Sequence, residues 1–129
     1  MRFVVDAHTV LWFLAGDIRL SANARTVLED EANDAFVSVA TLWEIAIKVS
    51  INKLSLNGPF SSIFPALAEN NLPILAISAS HLQQVLALPY PPNHRDPFDK
   101  LVIAQAMVED LVLLSRDRLL DAYGIQRFW

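Results

Sequence analysis

The sequence predicts an α/β protein, a three-layer α/β/α sandwich around a mostly parallel five-stranded sheet. Three observations carry that expectation. Five short runs, "RFVV", "AFVSV", "LPILAIS", "LVLLS" and "IQRFW", are rich in apolar and β-branched residues, most of them with no polar face. Segments with helical spacing separate them. The chain is also large and apolar enough, at 129 residues and 53% hydrophobic, to cover both faces of such a sheet. Short strands that are apolar on both sides and alternate with helices read as a parallel sheet buried between helical layers.

The elements follow in order. Residues 2–5 form the first strand, and "HTVLWFLAGD" turns to helical spacing that ends near Gly16. "SANARTVLEDEAN" is a helix with Ser21 as its N-cap, an apolar face of Ala24, Val27 and Leu28, and Asn33 near its end. Residues 35–39 are the second strand, and Thr41 opens the helix "TLWEIAIKVSINKL". The loop "SLNGPFSS" breaks the chain at Gly58-Pro59, and the helix "IFPALAENN" follows. Residues 72–78 form the third strand, with Pro73 tolerated at its start. The helix "SASHLQQVLAL" and the stiff linker "PYPPN" lead to a long helix in "HRDPFDKLVIAQAMVED". Residues 111–115 are the fourth strand, "RDRLLDAYG" a short helix stopped by Gly124, and "IQRFW" the last strand.

Composition narrows the function. The length is that of one domain spanning residues 1–129, with no internal repeat. The absence of cysteine removes disulfides and thiolate metal sites and suits a reducing interior. No apolar stretch is long enough to span a membrane, and Asp6 and His8 interrupt the N-terminal run before a signal sequence could form. The expectation is a soluble, cytoplasmic protein. A net charge of −4 argues against a nonspecific nucleic-acid coater.

The acids then draw attention. In a parallel sheet the strand C-ends and helix N-termini gather at one edge, where ligands bind. Asp6 follows the first strand, Glu44 falls in the first turn of the helix after the second, Asp96 and Asp99 open the long helix, and Asp117 lies just beyond the fourth strand. Each has a local reading as a helix cap. Thr41 to Glu44 has capping-box spacing, and Asp96-Pro97 is an N-cap followed by proline at N1. Capping does not require convergence, however. Two carboxylates ~5 Å apart repel by about 3 kcal/mol at an effective dielectric near 20. A converging set stays ionised only around a cation, and hard oxygen donors favour Mg²⁺ or Mn²⁺ over Zn²⁺. The three histidines, His8, His81 and His94, have no close metal-ligand spacing.

Taken as an ordered set, "FVVDAHTVLWFL", "SVATLWEIAIK", "HRDPFDKLVIAQA" and "LVLLSRD" resemble the PIN-domain family, in particular the ribonuclease toxins of VapBC toxin–antitoxin modules. The resemblance spans essentially the whole chain. It places the family's four acids at Asp6, Glu44, Asp99 and Asp117, with Asp96 an additional acid, and implies Mg²⁺- or Mn²⁺-dependent hydrolysis of RNA. Asp6, Asp99 and Asp117 are then expected metal ligands, Glu44 a ligand or an orienter of water, and Asp96 a ligand or only a cap. Ala7 and Ser115 stand where threonine is familiar, so the departures touch hydrogen bonding around the carboxylates and not the carboxylates themselves.

His8 and Ser115 lie beside these acids and could hydrogen-bond them. Arg95, Lys100, Arg116 and Arg118 flank them as a basic rim for phosphates or as local ion pairs. Trp12, Phe13 and Trp43 are expected in the core, with base stacking or an antitoxin groove as the alternative. The family also implies a homodimer and an antitoxin segment seated in an apolar groove.

Other classes fit less well. A haloacid-dehalogenase-like phosphatase needs a second aspartate where "DAHT" has His8, and a phosphoacceptor receiver needs an acid pair after the first strand and a lysine near the last. A catalytically silent PIN-like binding module would have lost acids, and none is lost here.

Overall fold

The computed structural model describes every residue except Asn93 and Arg95. Its core is one sheet of five parallel strands, β1 (Arg2–Val5), β2 (Asp34–Ser38), β3 (Ile74–Leu75), β4 (Val112–Leu114) and β5 (Arg127–Phe128), in the order β3-β2-β1-β4-β5. Central β1 pairs in register with β2 (Val5 opposite Val37) and with β4 (Val5 opposite Leu114). Successive side chains of a strand point to opposite faces, and here both faces are dry. Phe3, Val5, Val37 and Leu114 enter one core, whereas Val4 and Leu113 enter the other.

Among the described residues six α-helices supply the outer layers: α1 (Ala7–Ala15), α2 (Ala22–Glu29), α3 (Val39–Ser50), α4 (Ile63–Glu69), α5 (Ala79–Leu86) and α6 (Pro97–Glu109). The first core takes Val10 and Trp12 of α1, Ala24 and Leu28 of α2, Leu42 and Ile45 of α3, and Ile63 and Leu67 of α4. The second is built mainly from Leu101, Val102, Ile103 and Ala104 of α6, with Leu120 and Tyr123. The layers are those expected, and the sheet is wholly parallel. Gly16 ends α1 at φ 64°, a left-handed cap that a residue without Cβ adopts at little cost.

Several boundaries differ from the sequence reading. The third strand is two residues long, because β3 is an edge strand and the chain from Ala76 turns toward the cap of α5. Helix α2 stops at Glu29; Asn33 instead donates to the Val27 carbonyl at 3.1 Å and accepts from the N-terminal ammonium at 3.0 Å. The segment Arg118–Tyr123 is a 3-10 helix.

The largest correction concerns α3. It begins at Val39 with Ser38 as N-cap, whose Oγ accepts from the Ala40 amide at 3.0 Å. Thr41 is therefore a buried residue inside the helix, and no Thr41–Glu44 capping box forms. Ser38 Oγ also donates to Gln105 on α6, whose Nε2 donates to the Ala76 carbonyl at 3.3 Å. This network joins α3, α6 and the chain after β3 beneath the carboxyl edge of the sheet. No described helix is long and apolar enough to cross a membrane.

Candidate active site

The strand order reverses direction between β1 and β4. In an open parallel sheet the crevice outside the strand C-ends lies at such a point. Asp6 is the residue after β1, and its amide donates to the Leu114 carbonyl at the end of β4 at 3.3 Å. Asp117 is three residues beyond β4. Both line one open cleft of about 530 Å³, with His8, Thr9, Trp12, Arg19, Arg116 and Arg118. Asp99, on the third residue of α6, comes to the same place: carboxylate oxygens of Asp99 and Asp117 and a ring nitrogen of His94 all lie within 4.8 Å of one another.

Whether these acids cap helices or face a ligand turns out not to be a choice. Asp6 caps α1 through Oδ1 alone, which accepts from the Thr9 amide at 3.0 Å and the Thr9 hydroxyl at 2.5 Å. Asp117 caps the 3-10 helix through Oδ1, accepting from the Leu119 amide at 3.0 Å. Asp96 caps α6 through Oδ1, accepting from the amides of Phe98 at 2.8 Å and Asp99 at 3.1 Å. Among the described residues, Oδ2 of Asp6 and Asp117 and Oδ1 of Asp99 receive no hydrogen bond. One oxygen of each carboxylate thus fixes its orientation, and the other is left for a ligand.

The two departures from the familiar pattern are met locally. Thr9 supplies Asp6 with a hydroxyl donor although position 7 is alanine. Buried Ser115 accepts from the Asp117 amide at 3.1 Å, so serine serves where threonine is usual.

Glu44 is in the second turn of α3, buried, with Oε2 2.6 Å from Lys48 Nζ. That hydrogen bond is the main cause of a raised Lys48 pKa, and the charges of Asp96 and Asp99 add to it. The Asp99 carboxyl is itself pushed up to about 6. Burial is the largest cause, the His94 hydrogen bond opposes it, and the charges of Asp96 and Glu44 reinforce it. Asp99 is thus an acid crowded by acids in a largely desolvated position, an environment that carboxylates with perturbed pKa values at functional sites share.

The expected basic rim is only partly present. Lys100 is buried, donates to the Pro89 carbonyl at 3.1 Å and sits 3.5 Å from the Tyr90 ring centroid, so it is a structural tie and not a surface phosphate contact. Arg95 lies outside the described residues. Arg116 and Arg118 are exposed in the cleft. Arg116 and Arg19 each lie 5.2 Å from the Trp12 ring, and the exposed His8 stacks on it at 5.6 Å. Arg19 is oriented by a two-pronged pair with Asp17 at 2.7 and 3.0 Å.

Of the three aromatics, Trp12 is buried and Phe13 half-buried against the first core, as expected. Trp43 is 57% exposed and packs edge-on to Phe98 at 4.9 Å. With α3 starting at Val39, Leu42 and Ile45 point inward and Trp43 outward.

Sequence reading passed over Thr9, Tyr123 and Lys48, and took His94 only as a histidine without metal-ligand spacing. Thr9 and Lys48 were detectable as partners of Asp6 at i+3 and of Glu44 at i+4. His94 was not, because it reaches Asp99 from an irregular linker five positions away.

The PIN domain family model matches residues 3–125, and the chain belongs to the PIN-domain family, whose members are generally nucleases using divalent metals. Solved structures similar to it share the fold at low identity. VapBC2 from Rickettsia felis, bound to a DNA fragment of its promoter, superposes with a TM-score of 0.72 at 15% identity, covering 99% of this chain and 98% of that one. VapC20 of Mycobacterium tuberculosis, a toxin that cleaves the sarcin–ricin loop, gives 0.64 at 16% identity, covering 97% and 96%. FitAcB from Neisseria gonorrhoeae gives 0.62 at 18%, covering 100% and 97%. No curated protein matches the chain in sequence.

Proposed function

We propose that this chain is a Mg²⁺- or Mn²⁺-dependent endoribonuclease, acting in the cytoplasm as the toxin of a VapBC-type pair. The observation that supports the reading best is the meeting of Asp99 and Asp117 within 4.8 Å, with Asp6 in the same cleft as Asp117 and an open oxygen on each. The donors these three carboxylates offer are hard oxygens, a set that suits Mg²⁺ or Mn²⁺. Asp6, Asp99 and Asp117 would hold the ion, directly or through water. Glu44 either joins them or orients the attacking water, and Asp96 keeps α6 aimed at the site. The ion would lower the pKa of water and neutralise charge on the phosphoryl oxygens. Arg116, Arg118 and Arg19 hold guanidinium groups along the cleft, where they would place the backbone phosphates without reading bases.

The resemblance to VapC-type proteins extends the proposal to partners. An apolar groove of about 520 Å³ runs beside the cleft, lined by Leu11, Leu14, Leu54, Leu56 and Ile63, and shares His8, Trp12 and Arg19 with it. An antitoxin segment seated there would lie across the path to the acids. A homodimer is part of the same proposal.

The test is cleavage of RNA by the purified chain, with Mg²⁺ or Mn²⁺ and then with EDTA. Cleavage that stops on chelation is expected. Arg116→Ala should raise KM several-fold, leave kcat close to unchanged, and flatten the salt dependence of binding by about 0.7 in log–log slope, the value of one phosphate contact on a single strand. Metal-independent cleavage, or none with either ion, would contradict the proposal.

A further inference from the structure

His94 is a buried imidazole whose two nitrogens are both occupied. Nε2 lies 2.9 Å from Asp99 Oδ2 and Nδ1 lies 2.7 Å from the Tyr123 hydroxyl, with the two rings edge to face at 5.4 Å. An ionised carboxylate only accepts hydrogen bonds, so when Asp99 is charged Nε2 must carry the proton. With Nε2 as donor to Asp99, Nδ1 is left to the Tyr123 hydroxyl, and both ring nitrogens are engaged within the protein. Tyr123 is the last residue of the 3-10 helix that Asp117 caps. Its ring is backed by Lys100 Nζ at 5.5 Å. The chain therefore closes a ring of contacts running from Asp117 along the 3-10 helix to Tyr123, then through His94 to Asp99.

We infer that His94, held by Tyr123, is a positioning residue that sets the Asp99 carboxylate against Asp117 at the separation a single divalent ion requires. This rests on the nuclease reading for its purpose, though not for its geometry. The imidazole holds Oδ2 of Asp99, while Oδ1 receives no hydrogen bond among the described residues. It also ties the last acid-bearing segment to the helix that carries Asp99. Hydrogen-bond partners of metal-binding groups typically account for 10- to 100-fold in metal affinity.

The experiment uses the full-length chain and its variants His94→Leu, His94→Gln and Tyr123→Phe. Mn²⁺ affinity is read from the electron paramagnetic resonance of free Mn²⁺, thermal melting tests the fold, and histidine ¹⁵N shifts report the tautomer. His94→Leu is expected to weaken Mn²⁺ binding by about 10- to 100-fold. His94→Gln, which keeps an N–H near the place of Nε2, should recover most of that loss. Tyr123→Phe should weaken binding in the same direction but less. The wild-type shifts should show Nε2 protonated and Nδ1 unprotonated.

Should His94→Leu melt early, Tyr123→Phe and His94→Gln decide the matter. Mn²⁺ binding unchanged in all three variants would overturn the inference. So would an imidazole ¹⁴N coupling to Mn²⁺ bound by the wild type, which would make His94 a ligand. Loss of affinity in the variants, in a chain that cleaves no RNA, would leave the positioning role standing and remove the nuclease reading. A wild-type chain that binds no Mn²⁺ would remove both.

Discussion

Replacing Asp99 by asparagine should reduce RNA cleavage by roughly a thousandfold, the scale of several kcal/mol of lost charge stabilisation, while the metal-free protein becomes no less stable. The second half follows from the site's electrostatics. Burial, with Asp96 and Glu44 nearby, lifts the Asp99 carboxyl from 3.8 to about 6 despite the His94 hydrogen bond. The folded chain thus holds this proton more tightly than the unfolded chain does. Stability contributed by protonated Asp99 is full below about pH 4 and is lost as pH rises through about 6, leaving a penalty on the order of 3 kcal/mol above that range. Thermal melts of metal-free protein should therefore fall across this window in the wild type, and less steeply in Asp99→Asn. Added Mg²⁺ or Mn²⁺ should raise the wild-type melting temperature more at neutral pH than at pH ~5, because binding needs the ionised form. A variant that kept full metal-dependent cleavage would exclude Asp99 from the site.

Asp6 separates structure from chemistry in a single position. Its Oδ1 caps α1, so Asp6→Ala should lower stability by about 1 kcal/mol, whereas Asp6→Asn keeps an accepting oxygen and costs far less. Both should lose cleavage, by about two to three orders of magnitude, because neither offers an anionic oxygen to the cleft. Urea unfolding beside a cleavage assay distinguishes them. If Asp6→Asn cleaved RNA normally and only Asp6→Ala were impaired, the residue would be a helix cap and nothing more.

The comparison between sequence and structure turns on particular residues. Residues 2–5 and 111–115 were legible as strands because a centrally placed parallel strand has no polar face to confuse the pattern. The edge strands were placed but drawn too long, since β3 pairs on one side only and is two residues long. Asp96-Pro97 announced the start of α6 correctly, because a capping acid and a proline at N1 are strictly local signals. Ser38 was overlooked as a cap for the opposite reason: it lies at the end of an apolar strand run, and Thr41 carried a stronger-looking motif that the fold buries inside the helix. Strand order decided the rest. Nothing in the linear sequence says that β1 lies beside β4, yet that adjacency puts Asp6 next to Asp117. The His94–Tyr123 contact joins positions 29 apart and obeys no spacing rule.

The central claim is that carboxylates from β1, α6 and the end of β4 share one divalent ion. Crystals soaked in Mn²⁺ and measured at the manganese absorption edge test it most directly. The account predicts an anomalous peak bounded by Asp6, Asp99 and Asp117. A peak found only elsewhere, for instance in the acid-lined cleft of Glu29, Asp30, Glu31 and Asp34, would contradict it, as would no peak at all in crystals of an active enzyme.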